Sequence, residues 1–214
     1  MTEPVLPRFL ALGDSYTIGE GVDADGRWPA QLVRALRAQG VAVDDADIVA
    51  TTGWTTDELA AAIAARTFAP PYALVTLLVG VNNQYRGRAL DEYRNEFAAL
   101  FDRALAFADG DAARVVVVSI PDWGTTPFAA QGGRDVAQIA REIDAFNAAA
   151  RDIATTRGAA FVDVTTPSRA APADVEWLAA DGLHPSAAQY AAWTAAIVPA
   201  ARKALSAAAP RPVR

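Results

Sequence analysis

The chain has 214 residues, 52 % of them hydrophobic, and a formal net charge of −6. That length suits one α/β domain with a sizeable core, and that apolar content rules out a largely disordered chain. The acidic balance argues against a nucleic-acid binder, which carries a basic stripe. The absence of cysteine excludes disulfides, thiolate zinc sites and a cysteine nucleophile, and a single histidine is too few for a zinc hydrolase.

In chain order, Met1 to Pro7 shows no basic region and no long apolar stretch, so no signal peptide is expected. No apolar run reaches transmembrane length, and cytoplasm is the expected location. Phe9–Leu12 reads as the first buried strand. Trp28–Gln39 has helical spacing, with Leu32, Val33 and Leu36 on one face, and Asp47–Ala50 is the second strand. Thr55-Thr-Asp-Glu58 is a capping box that opens a helix over Leu59–Arg66.

Ala73–Val79 is the third strand and the most apolar. Leu90–Phe107 follows as a helix carrying Tyr93, Phe97, Leu100, Phe101 and Leu105 at helical intervals. Arg114–Ile120 is the fourth strand. The loop from Pro121 to Gly133 is long for this architecture, and such a loop at a strand end is often functional. Asp135–Arg157 is the next helix, with Ile139, Ile143, Phe146 and Ile153 on its inner face, and Ala159–Val162 is the fifth strand. Ser186-Ala-Ala-Gln189 is a second capping box, opening a last helix to about Leu205. Residues 1–206 read as a single domain and 207–214, with two prolines, as a flexible tail.

Strands alternating with helices predict an α/β fold: a parallel sheet, right-handed crossovers and helices on both faces. Ligand sites of such sheets lie beyond the carboxyl ends of the strands. Ser15, Gly53, Asn82 and Asp122 each follow a predicted strand within a few residues, so topology alone collects them at one edge.

A serine at a strand end commonly serves as a turn or cap residue. The Gly-x-Ser-x-Gly elbow of α/β-hydrolases is absent, because Thr17 stands where its last glycine would be. Ser15 therefore needs partners. The one histidine, His184, has Asp181 three residues before it, an offset that puts both side chains on one side of a helical turn. The carboxylate can then hold Nδ1–H and leave Nε2 to take a serine proton. Gly53 in Thr51-Thr-Gly-Trp54 reads either as a turn residue or as an amide facing an oxyanion. Asn82 reads either as a turn asparagine or as a side-chain donor completing an oxyanion hole.

Together these blocks resemble the SGNH hydrolases, the GDSL esterases and lipases. Gly13-Asp14-Ser15 matches the first block, Gly53 the second, Gly80-Val-Asn82 the third and Asp181-x-x-His184, followed by proline, the last. The resemblance runs from the first strand to the last helix. It implies a three-layer α/β/α sandwich, flavodoxin-like, with five parallel strands in the order 2-1-3-4-5. It implies Ser15 as nucleophile, His184 as base and Asp181 as its orienter. The oxyanion would be held by the N–H groups of Ser15 and Gly53 and by the Asn82 side chain, with no metal and no organic cofactor. Two departures stand out. Tyr16 replaces the leucine that often follows the serine, and Asn83 replaces the aspartate of the third block.

Tyr16, Trp54, Trp123 and Arg86 are the candidate substrate-binding residues; Trp177 also falls in or near a loop expected to flank the site, and Arg88, like Arg86, follows the asparagine block. The expected function is a serine esterase for small or short-chain carboxylic esters, with a small-molecule ester as the partner. Rivals with the same machinery are a carbohydrate O-deacetylase and a thioesterase or lysophospholipase. A rival of another class is a non-catalytic flavodoxin-like binding module. It is disfavoured because Asp14 to Gly19 lacks a phosphate-cradling pattern.

Overall fold

Strands in the middle of a parallel sheet are covered on both faces and read as unbroken apolar runs. Phe9–Gly13, Leu74–Leu78 and Val115–Val118 are such runs, buried at every position. The computed structural model describes residues 5–170 and 176–208. Its five strands are β1 (Phe9–Gly13), β2 (Ala46–Ala50), β3 (Leu74–Leu78), β4 (Val115–Val118) and β5 (Ala160–Val162). All pair in parallel, in the order β2-β1-β3-β4-β5. Order and direction agree with the expected three-layer sandwich.

Helices α1 (Ser15–Ile18), α2 (Trp28–Ala38), α3 (Thr56–Ala65), α4 (Val81–Tyr85) and α5 (Leu90–Phe107) fall in the first half. They are followed by α6 (Pro127–Gln131), α7 (Val136–Thr156), α8 (Thr165–Ala170) and α9 (Ala187–Ala208). Right-handed crossovers place α2 and α9 together on one face of the sheet and α3, α5 and α7 on the other. The apolar stripe of α2, Leu32, Val33 and Leu36, is buried, as are Phe97, Leu100 and Phe101 of α5. Full burial of such side chains is worth about 1.5–3 kcal/mol each, which holds the layers together.

Both capping-box sites start helices. The Glu58 carboxylate accepts the Thr55 N–H at 2.8 Å. At the second site only half the box forms. Ser186 Oγ accepts the Gln189 N–H at 3.3 Å and donates to the Glu176 carbonyl. Helix α9 runs to Ala208, two residues into the segment expected as a tail; residues 209–214 lie outside the described residues. Among the described residues, no helix is long and apolar enough to cross a membrane, and no group of three or more His, Cys, Asp or Glu is placed to hold a metal.

Candidate active site

Four strand exits deliver the site. β1 ends at Gly13, and the Asp14 carboxylate caps the short helix α1 by accepting the Tyr16 N–H at 3.0 Å. Ser15 is the first residue of that helix and is nearly buried. Asp14 lies below it, fully buried, and its Oδ2 has no hydrogen-bond partner among the described residues. Burial pushes the Asp14 carboxyl up to about 7, against the lowering effect of backbone N–H groups at Tyr16 and Gly80.

The loop after β2 carries Gly53 at φ +88°, a conformation that glycine adopts without a Cβ penalty. The Arg86 guanidinium donates to the Gly53 carbonyl at 2.7 Å and lies 3.4 Å from the Glu58 carboxylate. After β3, α4 presents Asn82, whose Nδ2 donates to the Trp54 carbonyl at 2.8 Å. Its neighbour Asn83 is fully buried. Asn83 Oδ1 accepts the Thr56 N–H at 3.0 Å, and its Nδ2 donates to Thr56 Oγ1 at 2.6 Å and to Glu96 Oε2 at 3.4 Å. The loop after β2 and the start of α3 are thus stapled to α4 by three side chains, Asn82, Asn83 and Arg86.

The last block differs from the helical turn expected of it. Gly182 sits at φ +67°, which breaks any helical run between Asp181 and His184. The Asp181 side chain closes the turn instead. Its Oδ1 accepts the N–H groups of Leu183 and His184 at 2.9 and 3.0 Å. Its Oδ2 lies 2.6 Å from His184 Nδ1. An antiparallel bridge from Leu178 to Pro185 closes the base of the turn. Burial works against ionisation of Asp181, but the His184 ring and the two backbone N–H groups outweigh it and hold the carboxyl below its usual range. An ionised carboxylate only accepts, so Nδ1 carries a proton, and in the neutral imidazole the lone pair is then on Nε2.

Ser15, Gly53, Asn82 and His184 line one cavity of about 220 Å³, together with Tyr16, Tyr85, Trp123, Phe128 and Leu183. No hydrogen bond joins Ser15 Oγ to His184 Nε2 among the described residues; such bonds often tighten only once substrate is present. Tyr16 is buried, with its ring edge-on to the imidazole at 5.8 Å and against Trp193 at 6.0 Å. It also lines the cavity, where the sequence pattern usually has leucine.

The other expected substrate contacts divide. Trp123 is a wall of the cavity, its indole N–H fixed by Gln84 Oε1 at 2.8 Å. Trp54 and Arg86 do not line the cavity. The Trp54 ring packs against the core and contributes its carbonyl to Asn82, and Arg86 is committed to Gly53 and Glu58. Arg88 pairs with Asp57 at 2.7 Å. Trp177 and Asp122 line a separate cavity of about 20 Å³ beneath the loop after β4, where the Asp122 carboxylate holds Arg169 at 2.8 Å.

Sequence reasoning missed Tyr85 and Phe128. Tyr85 ends a five-residue helix too short to show a period. Phe128 sits on α6, inside the long loop, and its N–H donates to the Gly182 carbonyl at 3.2 Å. That bond ties the loop after β4 to the Asp181–His184 turn.

Comparison with known proteins gives the chain a family and its fold a set of relatives. Residues 11–192 match the model of the GDSL-like lipase/acylhydrolase family. No curated protein matches the chain in sequence. Among solved structures, the protein titled TesA is 22 % identical with a TM-score of 0.71, the alignment covering 92 % of this chain and 99 % of that one. A lipase/acylhydrolase from Enterococcus faecalis is 19 % identical with a TM-score of 0.70, covering 91 % and 94 %. An acetylxylan esterase from Geobacillus stearothermophilus is 20 % identical with a TM-score of 0.65, covering 92 % and 94 %. At these identities the likeness is one of fold.

Proposed function

The chain belongs to the GDSL-like lipase/acylhydrolase family, whose members are carboxylic ester hydrolases, and we propose that within it this protein is a cofactor-free serine esterase acting on small or short-chain esters through an acyl-enzyme on Ser15. The observation that carries the proposal is the common cavity of Ser15, Gly53, Asn82 and His184, with His184 held by Asp181 at 2.6 Å.

In the proposed reaction Ser15 Oγ attacks the ester carbonyl carbon while His184 Nε2 takes its proton. The carbonyl oxygen becomes an oxyanion, held by the N–H groups of Ser15 and Gly53 and the free N–H of Asn82. Collapse breaks the bond to the alkoxy oxygen, which leaves as the alcohol with the proton from His184. Water then gives a proton to Nε2 and its oxygen attacks the acyl carbon. Release of the carboxylic acid restores Ser15. Asp181 stays ionised throughout and stabilises the transient imidazolium.

The small cavity and its aromatic walls support a short acyl group. Hydrolysis rates over p-nitrophenyl esters from acetate to dodecanoate, with an acetylated xylooligosaccharide and an acyl thioester alongside, test this reading. The expected profile peaks at short acyl chains on oxygen esters. A peak at long chains would contradict the short-chain assignment, and a sugar acetate turned over faster than any aryl ester would favour deacetylation. A thioester turned over faster than its oxygen ester would favour the thioesterase reading.

A further inference from the structure

The reaction cavity does not end at its aromatic wall. Tyr85, Trp123 and Phe128 line both it and a second, outer cavity of about 300 Å³, which Gln131, Gly132 and Arg134 also line. The three rings lie 5.4–6.5 Å apart, and Tyr85 and Phe128 are among the few large apolar side chains left exposed, at 40 % and 38 %. Exposed aromatic rings that continue a reaction cavity outward form a binding surface for the rest of a substrate.

Arg134 heads that surface. Its guanidinium lies over Tyr85 at 4.3 Å and over Trp123 at 5.6 Å. Nη1 donates to the Tyr85 carbonyl at 3.1 Å. Among the described residues no carboxylate lies within 4 Å of it, in contrast to Arg86, Arg88 and Arg169. The adjacent Asp135 is occupied elsewhere: its carboxylate caps α7 through the N–H groups of Ala137 and Gln138. The guanidinium is therefore held over the two rings by one hydrogen bond, and most of its five N–H donors have no partner among the described residues. Such a fork matches a carboxylate, and stacking has already met part of the ordering cost.

Resting on the esterase reading above, we propose that Arg134 is a specificity-determining residue, receiving a carboxylate carried by the ester substrate on the part that extends past Tyr85, Trp123 and Phe128. The chain's net charge of −6 makes its long-range field unfavourable to anions, so a preference for an anionic ester has to come from a local cation.

The test is a ratio. Aryl esters of succinate, glutarate and adipate half-acids are compared with neutral alkanoates of matched length, and 4-acetoxybenzoate with 4-methylphenyl acetate. The first set carries the charge on the acyl side and the second on the leaving group. In one set the wild type is expected to favour the carboxylate by about ten- to hundredfold in kcat/KM, mostly through KM, with one best chain length. Added salt should shrink that ratio. Arg134→Gln should bring it to about one, and Arg134→Glu should invert it. A loop-anchoring role alone would lower both members of each pair equally and leave the ratio unmoved. An unmoved ratio in Arg134→Gln, or no carboxylate preference in either set, overturns the proposal while neutral-ester turnover leaves the esterase reading standing. No turnover of any ester overturns both.

Discussion

Asn82 Nδ2 donates to the carbonyl oxygen of Trp54 at 2.8 Å, joining the exit of β3 to the exit of β2. A primary amide has two N–H bonds, and this contact uses one. The amide is thereby fixed in rotation, and its second N–H remains for the cavity that Asn82 lines. Charge develops on the carbonyl oxygen mainly in the transition state, so a donor fixed in advance acts on kcat more than on KM. Asn82→Ala is expected to lower kcat by about a hundred- to thousandfold with little change in KM. Steady-state kinetics on one aryl ester checks this, and a loss confined to KM would contradict it.

Asn83 gives the opposite pattern. Its side chain is fully buried and bonded to Thr56 and Glu96. Asn83→Ala strands the Thr56 N–H away from water, at a cost of about 1–3 kcal/mol for each buried group left unpaired. The expected outcome is a lower urea midpoint for Asn83→Ala and a smaller fall for Asn82→Ala, which loses one bond at a half-buried position. Asn83→Asp brings a carboxylate toward Glu96, so its stability deficit should shrink as pH falls and one acid protonates. Equal midpoints for both alanine variants would contradict the assignment.

Asp14 makes stability depend on pH. Its carboxyl is pushed up to about 7 in the folded chain, so between its unfolded value near 4 and 7 the folded state holds a proton that the unfolded state has lost. Unfolding free energy therefore falls as pH rises through that window, by an amount on the order of a few kcal/mol from this residue. Asp14→Asn cannot ionise and should flatten the curve. Urea melts of both proteins from pH 4.5 to 8 test it. The difference in stability between variant and wild type should grow with pH in the variant's favour, and a constant difference would refute the burial argument.

Phe128 separates the reaction cavity from the outer one while remaining partly exposed. Phe128→Ala should join the two spaces at little cost in stability. The ratio of kcat/KM for hexanoate over acetate is expected to rise by at least about tenfold, the worth of a single further methylene seated in an apolar site. An unchanged acyl profile would place the acyl group elsewhere.

Much of this architecture was legible beforehand, for physical reasons that also explain the gaps. Val115–Val118 and Leu74–Leu78 are buried on both faces, so their apolar runs mark strands without ambiguity. The helix over Leu90–Phe107 carries enough turns for its period to fix both ends. α1, α4, α6 and α8 have only four to six residues, and no period can be read over one turn. The Asp181–His184 offset suggests a helical turn, because spacing alone does not reveal the positive φ of Gly182. Topology alone gathers Ser15, Gly53, Asn82 and Asp122; the structure brings the first three to one cavity with His184 and places Asp122 in the neighbouring one. The partners of Arg86 and Asn83 lie 33 and 27 residues away, and the bond from Arg86 goes to a backbone carbonyl, which has no sequence signature.

The account rests on Ser15 as a nucleophile activated by His184. Its most direct test is peptide mass spectrometry after brief exposure to a fluorophosphonate, run in parallel with ester hydrolysis. One adduct per chain is expected, on Ser15, with hydrolysis lost in proportion. No adduct is expected in Ser15→Ala, and labelling of Ser15 should be slowed by orders of magnitude in His184→Ala. An adduct on another residue, or full ester hydrolysis by Ser15→Ala, would contradict it.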